Sequence, residues 1–180
     1  MALTKPNPRK HIHTRDIQCK GYQRDDGLWD IEGELIDAKT YSFENIDRGG
    51  VAAGEPVHHM WVRLTLDEDL LVHKAEAWTE AAPYKICGDI TPALEALEGQ
   101  SIVPGWRRNV IKHLGGVKGC THITDLLCGP LAVTAHQTIF AARERRKTAD
   151  ADKQPPQINT CHAYAQNSDV VRRLWPDFHE

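Results

Sequence analysis

The sequence contains no run of about 18 apolar residues, and this absence predicts that no helix crosses a membrane. The first fifteen residues, MALTKPNPRKHIHTR, also contain no apolar segment of the kind found in secretory signals. An excess of basic charge is missing, because 22 Lys and Arg face 25 Asp and Glu, for a formal net charge of −3. This balance argues against nucleic acid and anionic membrane surfaces as partners. We therefore expect a cytoplasmic protein that binds neither.

Several catalytic and metal-binding motifs are absent as well. The sequence has no CxxC or HxxxH, which argues against a zinc finger, and no HExxH, GxSxG, GxGxxG or GxxxxGK[ST]. These absences exclude the common signatures of zinc proteases, α/β hydrolases, dinucleotide-binding proteins and P-loop nucleotide hydrolases. What is present is five cysteines and ten histidines. An odd number of cysteines without a secretory signal predicts free thiols, and the two counts together make a metal site worth seeking.

The hydrophobic pattern predicts strands first and helices afterwards. Alternating apolar and polar residues indicate strands over 14–21 and 28–37, and a hairpin over 59–66 and 70–78. Apolar residues at helical spacing, with caps and glycine stops, predict helices over 91–98, 106–114 and 121–146, the last one interrupted at Gly129-Pro130. This order is typical of an α+β fold, with a small antiparallel sheet followed by packed helices. We expect a flexible arm over 1–13 and a single domain over 14–180.

Four short segments contain the residues best suited to chemistry: GEPVHHMW at 54–61, PYKICGD at 83–89, GGVKGCTHITDLL at 115–127 and TCHAYA at 160–165. Because side chains alternate along a strand, only one of His58 and His59 can face a given site. Cys120 lies where a helix is predicted to start, and the helix and nearby Lys118 should lower the pKa of its thiol.

The same segments have plain structural interpretations. His122 and Asp125 are three residues apart and would share a helix face, either as site residues or as a pair at the helix start. Cys161 and His162 could be further ligands or could anchor the tail. An isolated cysteine is most often a small buried apolar residue.

Six blocks of sequence carry a resemblance to a known family: DGLWDIEGELIDAKTY, GEPVHHMWVRLTLD, EAAPYKIC, GGVKGCTHITDLL, AHQT and TCHA. Together they resemble the bacterial family known as domain of unknown function 2889, over residues 14–176. The resemblance implies a setting in the bacterial cytoplasm, often among catabolic genes for aromatic or organic acids. It implies no established activity. In the GEPxHxMW pattern of the family, the matching histidine is His58.

A second resemblance concerns the fold. Residues 58–146 resemble the iron–sulfur scaffold proteins of the NifU/IscU type, with extra strands before this core. The resemblance implies a metal-site core over about 55–146 in which His58, Cys87 and Cys120 converge. One imidazole and two thiolates suit a Zn or Fe ion, with a fourth position for water, His122 or Asp125. The first ligand cysteine of the scaffolds and their LPPVK chaperone motif have no counterpart here, which disfavours cluster assembly.

These observations lead us to expect a small metal-dependent enzyme, a lyase or hydrolase, acting on an aromatic or hydroxy acid in bacterial catabolism. We expect the metal to be bound by His58, Cys87 and Cys120. Acid–base catalysis is assigned to His122 and Asp125, and substrate positioning to Trp61, Arg63 and Tyr84. One alternative is a cofactor-free acid–base lyase or isomerase that uses the same residues. Another is a metal or iron–sulfur carrier. The partner is expected to be a small molecule, with a homodimer as the default assembly and the loop over 38–57 either a lid or a subunit contact.

Overall fold

The computed structural model describes residues 3–146 and 154–180. Four strands come first: β1 (His13–Gln23), β2 (Trp29–Lys39), β3 (Pro56–Leu66) and β4 (Val72–Ala81). They are followed by 3₁₀ helices at Lys85–Leu97, Gly116–Lys118, His162–Tyr164 and Pro176–Phe178, and by helices α1 (Trp106–Leu114), α2 (Thr121–Cys128), α3 (Pro130–Arg146) and α4 (Asp169–Leu174). The predicted α+β class, with an antiparallel sheet followed by helices, is confirmed.

The chain divides into two compact units, Met1–Arg143 and Glu144–Glu180, where the sequence predicted one domain over 14–180. The second unit contains α4, which begins after Ser168. The Ser168 hydroxyl accepts a hydrogen bond from the Val171 backbone N–H, as an N-cap does, and Val171 is buried. Cys161 is exposed, and His162 starts the short 3₁₀ helix of this unit.

The sheet is a simple antiparallel meander in the order β1-β2-β3-β4. Each strand pairs with the next one along the chain. Short connections favour this pairing between β1 and β2 and between β3 and β4, whereas the longer loop over 40–55 joins β2 to β3. The strand ends lie within a few residues of the predicted ones, although β2 and β4 begin later than predicted. The register places Asp37 opposite Arg15 on one side and opposite His58 on the other. The predicted helix at 91–98 is instead part of a 3₁₀ helix. Pro92 inside it has no backbone N–H to donate to an α-helical ladder.

One face of the sheet packs against the helices. Along β2 the side chains on this face are buried at every second residue, and those between them are half-buried. Two glycines bring the helices close. A Cβ atom on Gly33 would lie 3.1 Å from Leu126 of α2, and one on Gly21 would overlap the Thr138 side chain of α3. We call this face of the sheet the helix face.

The other face, which we call the polar face, holds the alternate residues of the same strands. Its side chains form cross-strand pairs between oppositely charged groups: Arg63 with Glu32, and His59 with Glu34. Most of these side chains are half-buried or exposed.

The helices within residues 3–146 and 154–180 are too short or too polar to cross a bilayer.

Candidate metal centre

Three side chains meet where β2 ends, β3 begins and α2 begins. Asp37, His58 and His122 each offer one ligand atom, and these atoms all lie within 4.8 Å of one another. His58 Nδ1 is 3.3 Å from the Asp37 carboxylate, and His122 Nε2 is 3.7 Å from it. The cross-strand register supplies the first two residues, and the first turn of α2 supplies the third. One carboxylate and two imidazoles are donors that Zn and Fe both accept.

Strand alternation decides between the two adjacent histidines of β3. His58 belongs to the helix face and meets His122, with ring centroids 3.8 Å apart. His59 belongs to the polar face, where its Nε2 lies 2.7 Å from Glu34 Oε1. The sequence-based prediction that only one of the pair can face a given site is therefore confirmed.

Asp37 is the best-anchored member of the group. Its side chain is only 5% exposed, and it accepts hydrogen bonds from Arg15 Nε and Nη2, both at 2.8 Å. His13 Nε2 lies 3.0 Å from the same carboxylate. Burial raises the pKa of Asp37, but the hydrogen bonds and charge of Arg15, together with His13, outweigh it and hold this pKa below its usual value. The carboxylate is therefore ionised, as a metal ligand must be.

The His58 imidazole has an unused nitrogen. Its buried Nδ1 is close to Asp37 but lacks the alignment of a hydrogen bond, and no other group within the described residues satisfies it. Burial lowers the pKa of His58 to about 4, and the neighbouring His122 contributes in the same direction. At neutral pH the ring is therefore uncharged. A buried neutral imidazole that lacks a hydrogen-bond partner is costly in a folded protein, and a metal ion is one group that would satisfy it.

Cys120 lies beside this group at the N-cap of α2. Its Sγ is 3.7 Å from His122 Nδ1 and 3.9 Å from Met60 Sδ. Burial raises the pKa of the Cys120 thiol, but hydrogen bonds from His122 and from the backbone N–H groups at the helix start outweigh burial and lower it overall. The predicted direction is confirmed. The predicted help from Lys118 is not part of the cause, since that ammonium group donates to the Lys112 carbonyl at 3.4 Å.

The grouping differs from the predicted ligand set of His58, Cys87 and Cys120. Cys87 is half-buried in the first 3₁₀ helix, and in the part of the chain that the structure describes it joins no group of three potential ligands. Cys120 contacts His122 but lies outside the group that contains Asp37 and His58. The structure therefore retains His58 from the predicted set and adds Asp37 and His122.

The other predicted site residues are spread over different surfaces. Asp125 is 61% exposed and lies 3.5 Å from Arg15, at the rim of the group. Tyr84 is 54% exposed before the first 3₁₀ helix. Trp61 and Arg63 lie on the polar face, where they line a depression of about 340 Å³. Since odd-numbered residues of this part of β3 point away from the helices, the structure does not bring these two side chains to the Asp37 group.

Sequence reasoning missed Asp37 and its anchors, Arg15 and His13. A signal for Asp37 was present. The apolar face of β2 consists of every second residue from Trp29 onwards, and Asp37 is the acidic residue that continues this buried series. An acidic residue at a position that the pattern buries calls for a partner. The partner itself, Arg15, becomes visible only with the β1–β2 register.

These features define a class: an α+β protein with a four-stranded meander and a candidate centre of one carboxylate and two imidazoles. A family model described as "Protein of unknown function (DUF2889)" matches residues 13–137, and the chain belongs to this family. The match contains all three residues of the candidate centre. No curated protein matches the chain. No solved structure matches it either, so the NifU/IscU-like core stays a prediction.

Proposed function

We propose that this protein is a metal-dependent enzyme in which Asp37, His58 and His122 bind a Zn or Fe ion. The observation that carries the proposal is the buried, unsatisfied Nδ1 of His58, which lies beside an ionised carboxylate and a second imidazole. Sets of two histidines and one carboxylate are used by hydrolytic zinc enzymes and by non-haem iron enzymes. Three protein ligands also leave coordination positions for water or substrate.

The surrounding residues have roles that follow from their contacts. When bound, the ion would lower the pKa of a water molecule or polarise a substrate oxygen. Arg15 holds both oxygens of Asp37, which fixes the orientation of the carboxylate in the way that outer partners orient metal ligands. With His122 bound to the ion, Asp125 is left as the group for acid–base work, because it is exposed at the rim beside Arg15.

The substrate class rests on charge and on the family setting. A divalent ion and Arg15 against the Asp37 and Asp125 carboxylates still leave an excess of positive charge in the site, which favours an anionic substrate. A small aromatic or hydroxy acid from bacterial catabolism fits this charge, with lyase or hydrolase chemistry in the cytoplasm. Trp61 and Arg63 are not part of this proposal, since they lie on the polar face.

Elemental analysis tests the proposal on protein purified without a histidine tag or added metal. We expect about one Zn or Fe per chain in the wild type and a loss of most of it in Asp37→Asn, His58→Gln and His122→Gln. His59→Gln is the matched control, because it alters the adjacent histidine on the other face and should keep its metal. Equal metal content in all four variants, with folding confirmed by circular dichroism, would contradict the proposal. Turnover of aromatic and hydroxy acids would then be screened with the loaded protein.

A cofactor-free enzyme is a second candidate, and one observation favours it. Each ring nitrogen of His122 faces a partner at 3.7 Å, Cys120 Sγ on one side and Asp37 Oδ2 on the other. Such a chain of thiol, imidazole and carboxylate resembles the arrangement that activates a nucleophile. Full turnover after removal of metal by a chelator, and its loss in Cys120→Ser, would select this candidate over the first.

A further inference from the structure

The His122 ring separates two sets of donor atoms of different chemical character. Its Nε2 lies 3.7 Å from the Asp37 carboxylate, and the His58 ring packs against it with ring centroids 3.8 Å apart. Its Nδ1 edge faces the sulfur of Cys120, and this sulfur in turn lies against the sulfur of Met60. Oxygen and nitrogen donors suit hard and borderline divalent ions, whereas a thiolate combined with a thioether is a soft donor pair that suits copper(I). The two edges of one imidazole are therefore suited to different ions.

Two donor separations on the Nδ1 edge, both measured from Cys120 Sγ, match those around a three-coordinate ion. With metal–sulfur distances near 2.3 Å and metal–nitrogen distances near 2.0 Å, ligands at 120° lie about 3.7 Å apart for sulfur and nitrogen and about 4.0 Å apart for two sulfurs. The observed separations are 3.7 Å from Cys120 Sγ to His122 Nδ1 and 3.9 Å from Cys120 Sγ to Met60 Sδ.

The three side chains are held in place by the fold. Met60 is 1% exposed in the middle of the helix face, and Cys120 and His122 are fixed by the start of α2. Cys120 is half-buried. The contact of its thiol with the buried thioether of Met60 distinguishes this cluster from the other cysteines of the chain.

We propose that Cys120, Met60 and His122 Nδ1 form a binding site for copper(I). The Cys120 thiol releases its proton to solvent when the ion binds. This inference does not depend on the proposed enzyme function, although the two sites share His122. A neutral imidazole has one nitrogen free, so copper(I) on Nδ1 leaves the proton on Nε2, where Asp37 can accept a hydrogen bond from it. Copper(I) therefore removes His122 from the Asp37 group, and the two sites exclude one another.

Anaerobic titration against a copper(I) chelator of known affinity, such as bicinchoninate, tests the proposal on the full chain. We expect the wild type to hold one more tightly bound copper(I) than Cys120→Ser, and Met60→Leu to bind this ion about tenfold or more weakly. Met60→Leu conserves volume, so it retains the fold. Asp37→Asn should bind copper(I) as the wild type does. Cys161→Ser is the control for the contribution of an exposed thiol outside the cluster.

Zinc binding by the same variants separates this proposal from the preceding one. Met60→Leu should lose copper(I) affinity and keep zinc, Asp37→Asn should do the opposite, and His122→Gln should lose both. If Met60→Leu binds copper(I) as tightly as the wild type, the Met60 thioether is not a ligand, and the three-donor site is overturned. Copper(I) affinity lost in Asp37→Asn would place the ion on the Asp37 group and overturn it as well. Simultaneous full loading with copper(I) and zinc would refute mutual exclusion.

Discussion

The two faces of the sheet carry similar pairs of residues in different surroundings. On the helix face His58 lies beside Asp37, and on the polar face the adjacent His59 lies beside Glu34. His59 and Glu34 form a hydrogen bond of 2.7 Å, and their side chains are 23% and 20% exposed. The Asp37 side chain is 5% exposed, and His58 has a nitrogen that nothing in the described chain satisfies. A histidine–carboxylate pair therefore indicates a candidate functional site only where the pair is buried and one of its polar atoms lacks a hydrogen-bond partner.

Removing one carboxylate from each face gives the largest expected contrast. Asp37→Asn removes the buried carboxylate that Arg15 holds with two hydrogen bonds and leaves Arg15 only the exposed Asp125, so we expect a loss of about 3 kcal/mol in the free energy of unfolding. Glu34→Gln keeps a hydrogen-bond partner for His59 at a more exposed position, so the expected loss is below about 1 kcal/mol. Urea unfolding of the two variants, free of metal, measures both values. Equal losses would mean that the faces do not differ as described.

Substitutions on the closely packed helix face should cost more stability than substitutions on the polar face. A Cβ atom on Gly21 would overlap Thr138, including the Thr138 Cβ at 2.7 Å, so rotating that side chain cannot relieve the clash. We expect Gly21→Ala to destabilise the protein by about 2 to 3 kcal/mol, because α3 must move away from β1. Lys20→Ala, one residue earlier and on the opposite face, should change stability by less than about 0.5 kcal/mol. Thermal or urea unfolding would show the difference, and a neutral Gly21→Ala would contradict the close approach of α3.

Low pH should lower the free energy of unfolding, because it protonates His58 on unfolding. The pKa of this ring is about 4 in the folded chain against about 6.5 when unfolded, so between these values the unfolded state binds the extra proton. Stability therefore falls as the pH falls below about 6.5, by about 2 kcal/mol between pH 7 and pH 5 in the metal-free protein. His58→Gln should remove this part of the pH dependence, while substitution of the exposed His11 by Gln should leave it. An unchanged slope in His58→Gln would contradict the assignment.

The sequence predicted the fold more completely than the site. Alternation and helical spacing gave four strands, α1 and the break between α2 and α3 within a few residues, because each is decided by nearby residues. The 3₁₀ helix at Lys85–Leu97 was not predicted. Apolar spacing alone does not reveal that Pro92 lacks the backbone N–H that an α-helical ladder needs. Cys87 and His58 are 29 positions apart in the sequence, and only packing decides whether they meet. The burial pattern of β2 does single out Asp37, but its partner Arg15 lies on another strand and is visible only with the β1–β2 register.

The smallest expected effect is on the polar face, and it bears on the role first expected for Arg63. This side chain is 50% exposed and bonds Glu32 with its Nε and Nη2 atoms, and Glu76 lies 3.9 Å away. Exposed ion pairs contribute little, so Arg63→Met should cost less than about 1 kcal/mol in urea unfolding. It should also leave metal content unchanged, because the sheet separates Arg63 from Asp37. If turnover is established and Arg63→Met abolishes it while metal stays bound, the substrate reaches the polar face, and the assignment of function to the helix face alone is wrong.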